Sequence, residues 1–204
     1  QGVGTNRWIV DGNGGLLLVG SPSNPIPLIR AGCKEKFPEE YSRRYAAEML
    51  FSNVTTRIYA DEFVLGYNTN RDLNPVVTWV GSTLTVFQVN RFILGDNGGV
   101  TAELAAVTGG RIQIGSPNAK CDLFLGHKRY RELPVSGLIR ATNWPLVGHF
   151  RNVTLGCGNN HYYPNGYGFV ELDGDDEFYA DSLFVGGFTN ISGFGVFLLQ
   201  DGSA

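Results

Sequence analysis

The chain has 204 residues, a formal net charge of -3 and 16 Lys and Arg scattered between Arg7 and Arg151, so it has no basic footprint and nucleic acid is disfavoured as a partner. Its apolar runs, such as Leu16 to Val19 and Val196 to Leu199, are strand-sized and far below the roughly 18 to 20 residues of a spanning helix, so no membrane insertion is expected. The length suits one β-rich domain over 1–204 with a core of its own.

Along the chain, 28 glycines divide short runs rich in Val, Ile, Phe, Tyr and Thr, the composition of extended segments separated by tight turns. Strands are predicted over Trp8 to Val10, Leu16 to Gly20, Thr56 to Leu65, Val76 to Val80, Thr83 to Val89, Phe92 to Leu94 and Arg111 to Ile114. They continue over Cys121 to Leu125, Gly137 to Ala141, Val147 to Leu155, Gly168 to Leu172, Phe178 to Val185 and Gly193 to Leu199. One helix is predicted, over Phe37 to Phe51, where Pro38, Glu39 and Glu40 suit a first turn and Tyr41, Tyr45 and Met49 recur every four residues.

Apolar runs repeatedly end on glycine, at Gly20, Gly66, Gly95, Gly126 and Gly186, and two longer echoes occur. "NRWIVDGNGG" from Asn6 returns as "NRFILGDNGG" from Asn90, and "YADEFVLGYNTN" from Tyr59 returns loosely as "YADSLFVGGFTN" from Tyr179. The two offsets differ and the spacing of these glycines is irregular, which favours chance recurrence over a true repeat. In "TRIYADEF", Ile58, Ala60 and Glu62 alternate with Arg57, Tyr59, Asp61 and Phe63 as in a sheet with one covered face. The fold expected is all-β, an antiparallel sandwich or jelly roll with one short helix; the alternative is a β-solenoid or an intertwined trimeric fibre.

Chemistry-bearing clusters are few. Cys33, Cys121 and Cys157 are an odd count without metal-finger spacing, and at most one internal bridge can form. Sequons stand at Asn53, Asn152 and Asn190, and matter only in a eukaryotic secretory pathway. "ELDGDDEF" crowds carboxylates that repel unless solvent or a hard cation screens them, so it is read as a solvated turn, with Asp173, Asp175 and Asp176 as candidate calcium ligands. Otherwise no cofactor is expected. Acids from Glu171 to Glu177, or Asp61 with Glu62, supply the pair a glycoside hydrolase needs, but no elbow, metal motif or phosphate loop accompanies them, and an enzyme is the runner-up reading.

Two stretches suit recognition instead. "NNHYYPNGYGF" sets Tyr162, Tyr163 and Tyr167 around a Pro-Asn-Gly turn with Asn165 as a hydrogen-bonding group, the rigid amphipathic surface found where proteins bind sugars or proteins. "HKRYRE" clusters His127, Lys128, Arg129 and Arg131 around Tyr130, a set suited to an anionic glycan.

With its glycine-ended strands, Asn-Gly turns, few lysines and single methionine, the chain resembles, across its whole length, the attachment domains of phage tail fibres and viral spikes. That resemblance implies a virion-surface or extracellular location, a symmetric and often trimeric assembly, and recognition of a cell-surface glycan or protein receptor through loops. The alternative is a purely structural capsid or fibre segment. The start at Gln1 fits a processed product or an excised domain. Phe92 and Phe184 are taken as core rings.

Overall fold

The computed structural model describes residues 4–34, 45–68, 76–128, 134–157, 166–186 and 193–200. Among them every strand-to-strand ladder is parallel, and the antiparallel pairing is confined to the isolated bridges Ser21 with Asn24 and Ser116 with Ala119. The architecture is a β-solenoid, so the alternative expectation holds and the antiparallel sandwich does not.

The strands in chain order are β1 (Gly4–Val19), β2 (Ile26–Lys34), β3 (Tyr45–Asn68), β4 (Val76–Gly81), β5 (Leu84–Asn97), β6 (Val100–Ala106) and β7 (Arg111–Ile114). Then follow β8 (Cys121–Lys128), β9 (Val135–Ala141), β10 (Leu146–Cys157), β11 (Gly166–Leu172), β12 (Glu177–Val185) and β13 (Phe194–Leu199). Each coil passes through three stacked faces. On the first face Met49, Trp79, Leu104, Ile139, Val170 and Phe197 lie in one register column. On the second, Leu18, Arg57, Val86, Gln113, Val147 and Glu177 stand one above another. On the third, Ile29, Phe63, Phe92, Leu123, Val153 and Leu183 do the same.

Parallel stacking places like side chains over like, and the core follows from that. Phe63, Phe87, Phe92, Leu94, Leu104, Ile112, Ile114, Leu123, Leu125, Leu155 and Val170 are fully buried in one continuous cluster. The alternation in "TRIYADEF" is real, but its phase slips at the corner. Ile58 and Ala60 point inward, Asp61 and Glu62 both lie toward solvent, and Phe63 is the next buried residue, so Glu62 faces out and Phe63 in, the reverse of the expectation. Phe92 is core as expected; Phe184 is not part of the core cluster and is half-buried on the last coil.

The corner between the third face and the next first face is made by glycine. Gly32, Gly66, Gly95, Gly126, Gly156 and Gly186 occupy one column, all with φ between 66° and 83°, a region that strains any residue with a Cβ. Their intervals are 34, 29, 31, 30 and 30 residues. The spacing is therefore near-constant. The irregularity read from the sequence came from including Gly20, which belongs to another corner, and omitting Gly32 and Gly156. Opposite this column, Ala102, Gly137, Gly168 and Gly195 form an inward column of small residues on the first face, and the backbones meet there: a Cβ on Gly137 would lie 2.2 Å from the Leu94 carbonyl oxygen.

The helix expected over Phe37 to Phe51 is not formed among the described residues: Tyr45 to Phe51 open β3, and 37–44 lie outside the described residues. Met49 and Phe51 point into the core at the strand period of two, which competes with the spacing of four that suggested a helix. The echo between Tyr59 and Tyr179 is a true structural repeat, because Glu62, Arg91, Asp122, Asn152 and Ser182 share one column and carry both copies to the same place on the coil. The echo between Asn6 and Asn90 is coincidental, since Asn6 pairs with Ala47 on the first face and Asn90 sits where the second face turns into the third.

Candidate functional site

Two loops with nearly the same sequence project from the corner between the second and third faces. "VGSPSN" ends in a turn closed by reciprocal backbone hydrogen bonds between Ser21 and Asn24, both 3.2 Å, and "IGSPNA" in one closed between Ser116 and Ala119, both 3.0 Å. Each is launched by a left-handed glycine, Gly20 or Gly115, on which a Cβ would fall 2.4 Å from the Tyr59 carbonyl oxygen or 2.5 Å from that of His149. Between them two coils round the same corner without any insertion, through Ile58-Tyr59-Ala60 and Phe87-Gln88-Val89.

The result is a walled groove of about 650 Å³. Its ends are Ser21 and Pro22 on one side and Ser116 and Ala119 on the other; Arg57, Tyr59, Asp61, Gln88, Asn90 and Gln113 supply the polar lining. The register from Leu18 through Arg57 and Val86 to Gln113 sets the two turns three coils apart, about 14 Å at the usual strand spacing. One lip is fastened by ordered polar contacts: the Asn90 side-chain amide donates to Asp61 Oδ1 at 3.1 Å, Arg151 donates to the Asn90 carbonyl at 3.3 Å, and the Arg151 guanidinium pairs with Asp122 at 3.0 Å. Gln113 donates to the Gly115 carbonyl at 3.1 Å and so holds the far wall. Among the described residues Arg57, Tyr59 and Gln88 make no side-chain hydrogen bond or ion pair, and their polar ends are available to a ligand. Beyond the second wall the same column continues into His149 and Tyr179, whose rings stack at 4.8 Å and 5°.

The residues singled out from sequence fall elsewhere. Tyr162, Tyr163, Asn165, Arg129, Tyr130 and Arg131 lie outside the described residues. Lys128 ends β8 in register with Asn97. His127 is committed to structure: its Nδ1 sits 2.9 Å from Oδ1 of the buried Asp96 in the coil below, and its ring lies 5.4 Å from Phe124. Tyr167 is 39 % exposed on the outer side of the first face, tilted against Phe194 at 6.0 Å. A Cβ on Gly126, the residue before His127, would lie 2.3 Å from the Tyr167 carbonyl oxygen.

The acidic turn is held by its own hydrogen bonds. Asp176 accepts from the backbone N–H of Leu146 at 2.7 Å and of Asp173 at 2.8 Å, and Asp173 accepts from the N–H of Asp175 at 3.2 Å. Burial pushes the Asp176 carboxyl up to about 6 against the two backbone donors, and Asp173 and Asp175 add to the rise. Among the described residues no group of three or more His, Cys, Asp or Glu is placed to hold a metal ion. Cys121 is buried in the core and Cys157 half-buried; both are free thiols, and burial raises both.

Sequence reasoning passed over the groove. The signal was the pair of Gly-Ser-Pro turns, which marks both walls. Comparisons with protein families, with curated proteins and with solved structures returned no match.

Proposed function

We propose that this chain is a recognition module of a virion or secreted surface that binds an extended glycan in the groove between the Ser21–Asn24 and Ser116–Ala119 turns. The observation that carries the reading is the groove's floor: a tyrosine, a guanidinium and a side-chain amide, uncommitted within the described residues, lie between two fixed walls. Planar groups with paired donors and acceptors suit ring hydroxyls, and a tyrosine offers an apolar body with a polar tip. The 14 Å between walls fits a short oligosaccharide better than a single sugar. Binding is favoured over hydrolysis here because Asp61 is the single carboxylate among the described lining residues, and glycoside hydrolysis uses two. The exposed apolar side chains at the ends of the stack, Trp8 at one and Leu183, Val185 and Leu199 at the other, are consistent with assembly into an oligomer such as a trimer.

A glycan array followed by calorimetry of the hits tests this. The expected result is saturable binding that Tyr59→Ala weakens about tenfold, the loss of one well-placed contact. No binding at millimolar oligosaccharide would contradict it.

A further inference from the structure

The geometry points to a carboxylated oligosaccharide as the groove's ligand, with Arg57 receiving the sugar carboxylate at one lip and Asp61 and Asn90 receiving hydroxyls at the other; this rests on the glycan reading above. The argument begins from how charge is distributed across the groove. Arg57 projects from the second face, in the column between Leu18 and Val86. Asp61 lies four residues further along the same strand, past the corner at Ile58-Tyr59-Ala60, so the two stand on different faces, and no ion pair joins them among the described residues. The cation and the carboxylate therefore occupy opposite lips and do not neutralise each other.

The two lips also differ in what they already hold. On the Asp61 side, the carboxylate accepts from Asn90, and Arg151, which donates to the Asn90 carbonyl, is paired with Asp122. Among the described residues no uncommitted positive charge faces a ligand from that lip. On the Arg57 side the other lining residues are Leu84, Val86 and Gln113, which are neutral. Among the described residues Arg57 is the one lining residue that carries a positive charge, and it has no ion-pair partner there. A guanidinium is always charged and presents a planar fork matched to a carboxylate, so an anionic group lowers the free energy at this lip more than a hydroxyl does. At the opposite lip a ligand carboxylate would meet Asp61 and be repelled. Orientation follows: the acidic edge of the sugar chain lies toward the second face and its hydroxyl edge toward the third.

Calorimetric titration with a hexuronic acid oligosaccharide and with the same oligosaccharide after methyl esterification separates this from the broader reading. The acid form is expected to bind about ten- to a hundredfold tighter than the ester, with an affinity that falls as salt rises. Arg57→Gln is expected to remove the preference while keeping the affinity for the ester, and Arg57→Lys to restore part of it. Equal binding of acid and ester by the unaltered protein would overturn the carboxylate assignment and leave glycan binding in place. Binding of neither form, together with failure of neutral oligosaccharides, would overturn both.

Discussion

Gly126→Val is expected to destabilise the chain by about 2 to 5 kcal/mol, a large share of the roughly 5 to 15 kcal/mol available to a domain. Two independent costs add. Gly126 has φ of 70°, where a side chain costs about 1 to 2 kcal/mol and a β-branched one more. A Cβ there would also stand 2.3 Å from the Tyr167 carbonyl oxygen and 2.6 Å from its carbonyl carbon and amide nitrogen, backbone atoms that cannot swing aside, and forced overpacking costs about 1 to 3 kcal/mol more. Gly109→Ala separates the two. Gly109 has φ of 76°, but a Cβ added there would meet no atom within 4 Å, so it should lose only about 1 to 2 kcal/mol. Urea unfolding of both variants checks the difference; similar losses would mean that the glycine corner is not a close backbone contact.

Phe63→Ala is expected to cost about 3 to 5 kcal/mol by the same measurement. The ring is fully buried and sits at the centre of an aromatic group, stacked on Phe92 at 5.2 Å, tilted against Phe87 at 5.0 Å and edge-on to Trp79 at 5.5 Å. Stacked coils cannot slide together to refill the void without breaking their ladders, so most of the cavity should persist. Phe184→Ala serves as the contrast. It is half-buried on the last coil and outside the core cluster, although Thr154, Ile93 and Val64 in its column are buried, so it should cost clearly less. Equal losses would mean that the inside and outside of the third face have been exchanged.

Much of the local structure was legible. β-branched and aromatic runs, glycine punctuation and the "TRIYADEF" alternation all marked strands that exist. What stayed hidden was how they pair, because alternation with a period of two is common to parallel and antiparallel sheets, and a solenoid corner keeps the chain extended through it. Ile58-Tyr59-Ala60 turns from one face to the next inside a single strand, without the Gly or Asn-Gly signal that a hairpin would need. The decisive pattern is the glycine column, and part of it is masked by its context: Gly32, in "RAGCK", lacks the Leu or Val that precedes the other glycines, and the Leu-Gly at Gly156, in "VTLGCG", closes a run broken by Thr154. The groove was missed for a related reason. Arg57, Tyr59, Gln88 and Gln113 are dispersed in sequence and become neighbours only when the coils stack, while the aromatic and basic clusters that stood out are contiguous.

The groove, its walls and the glycine corner all depend on parallel, in-register stacking, and a pair of spin-label distances tests that most directly. Nitroxides at Leu18 and Glu177 are separated by five register steps, and at Arg57 and Glu177 by four. At about 4.8 Å per step, pulsed electron resonance should give backbone separations of about 24 Å and about 19 Å, the second pair closer by one coil. Equal distances, or a reversed order, would contradict the stacked solenoid and with it the site built upon it.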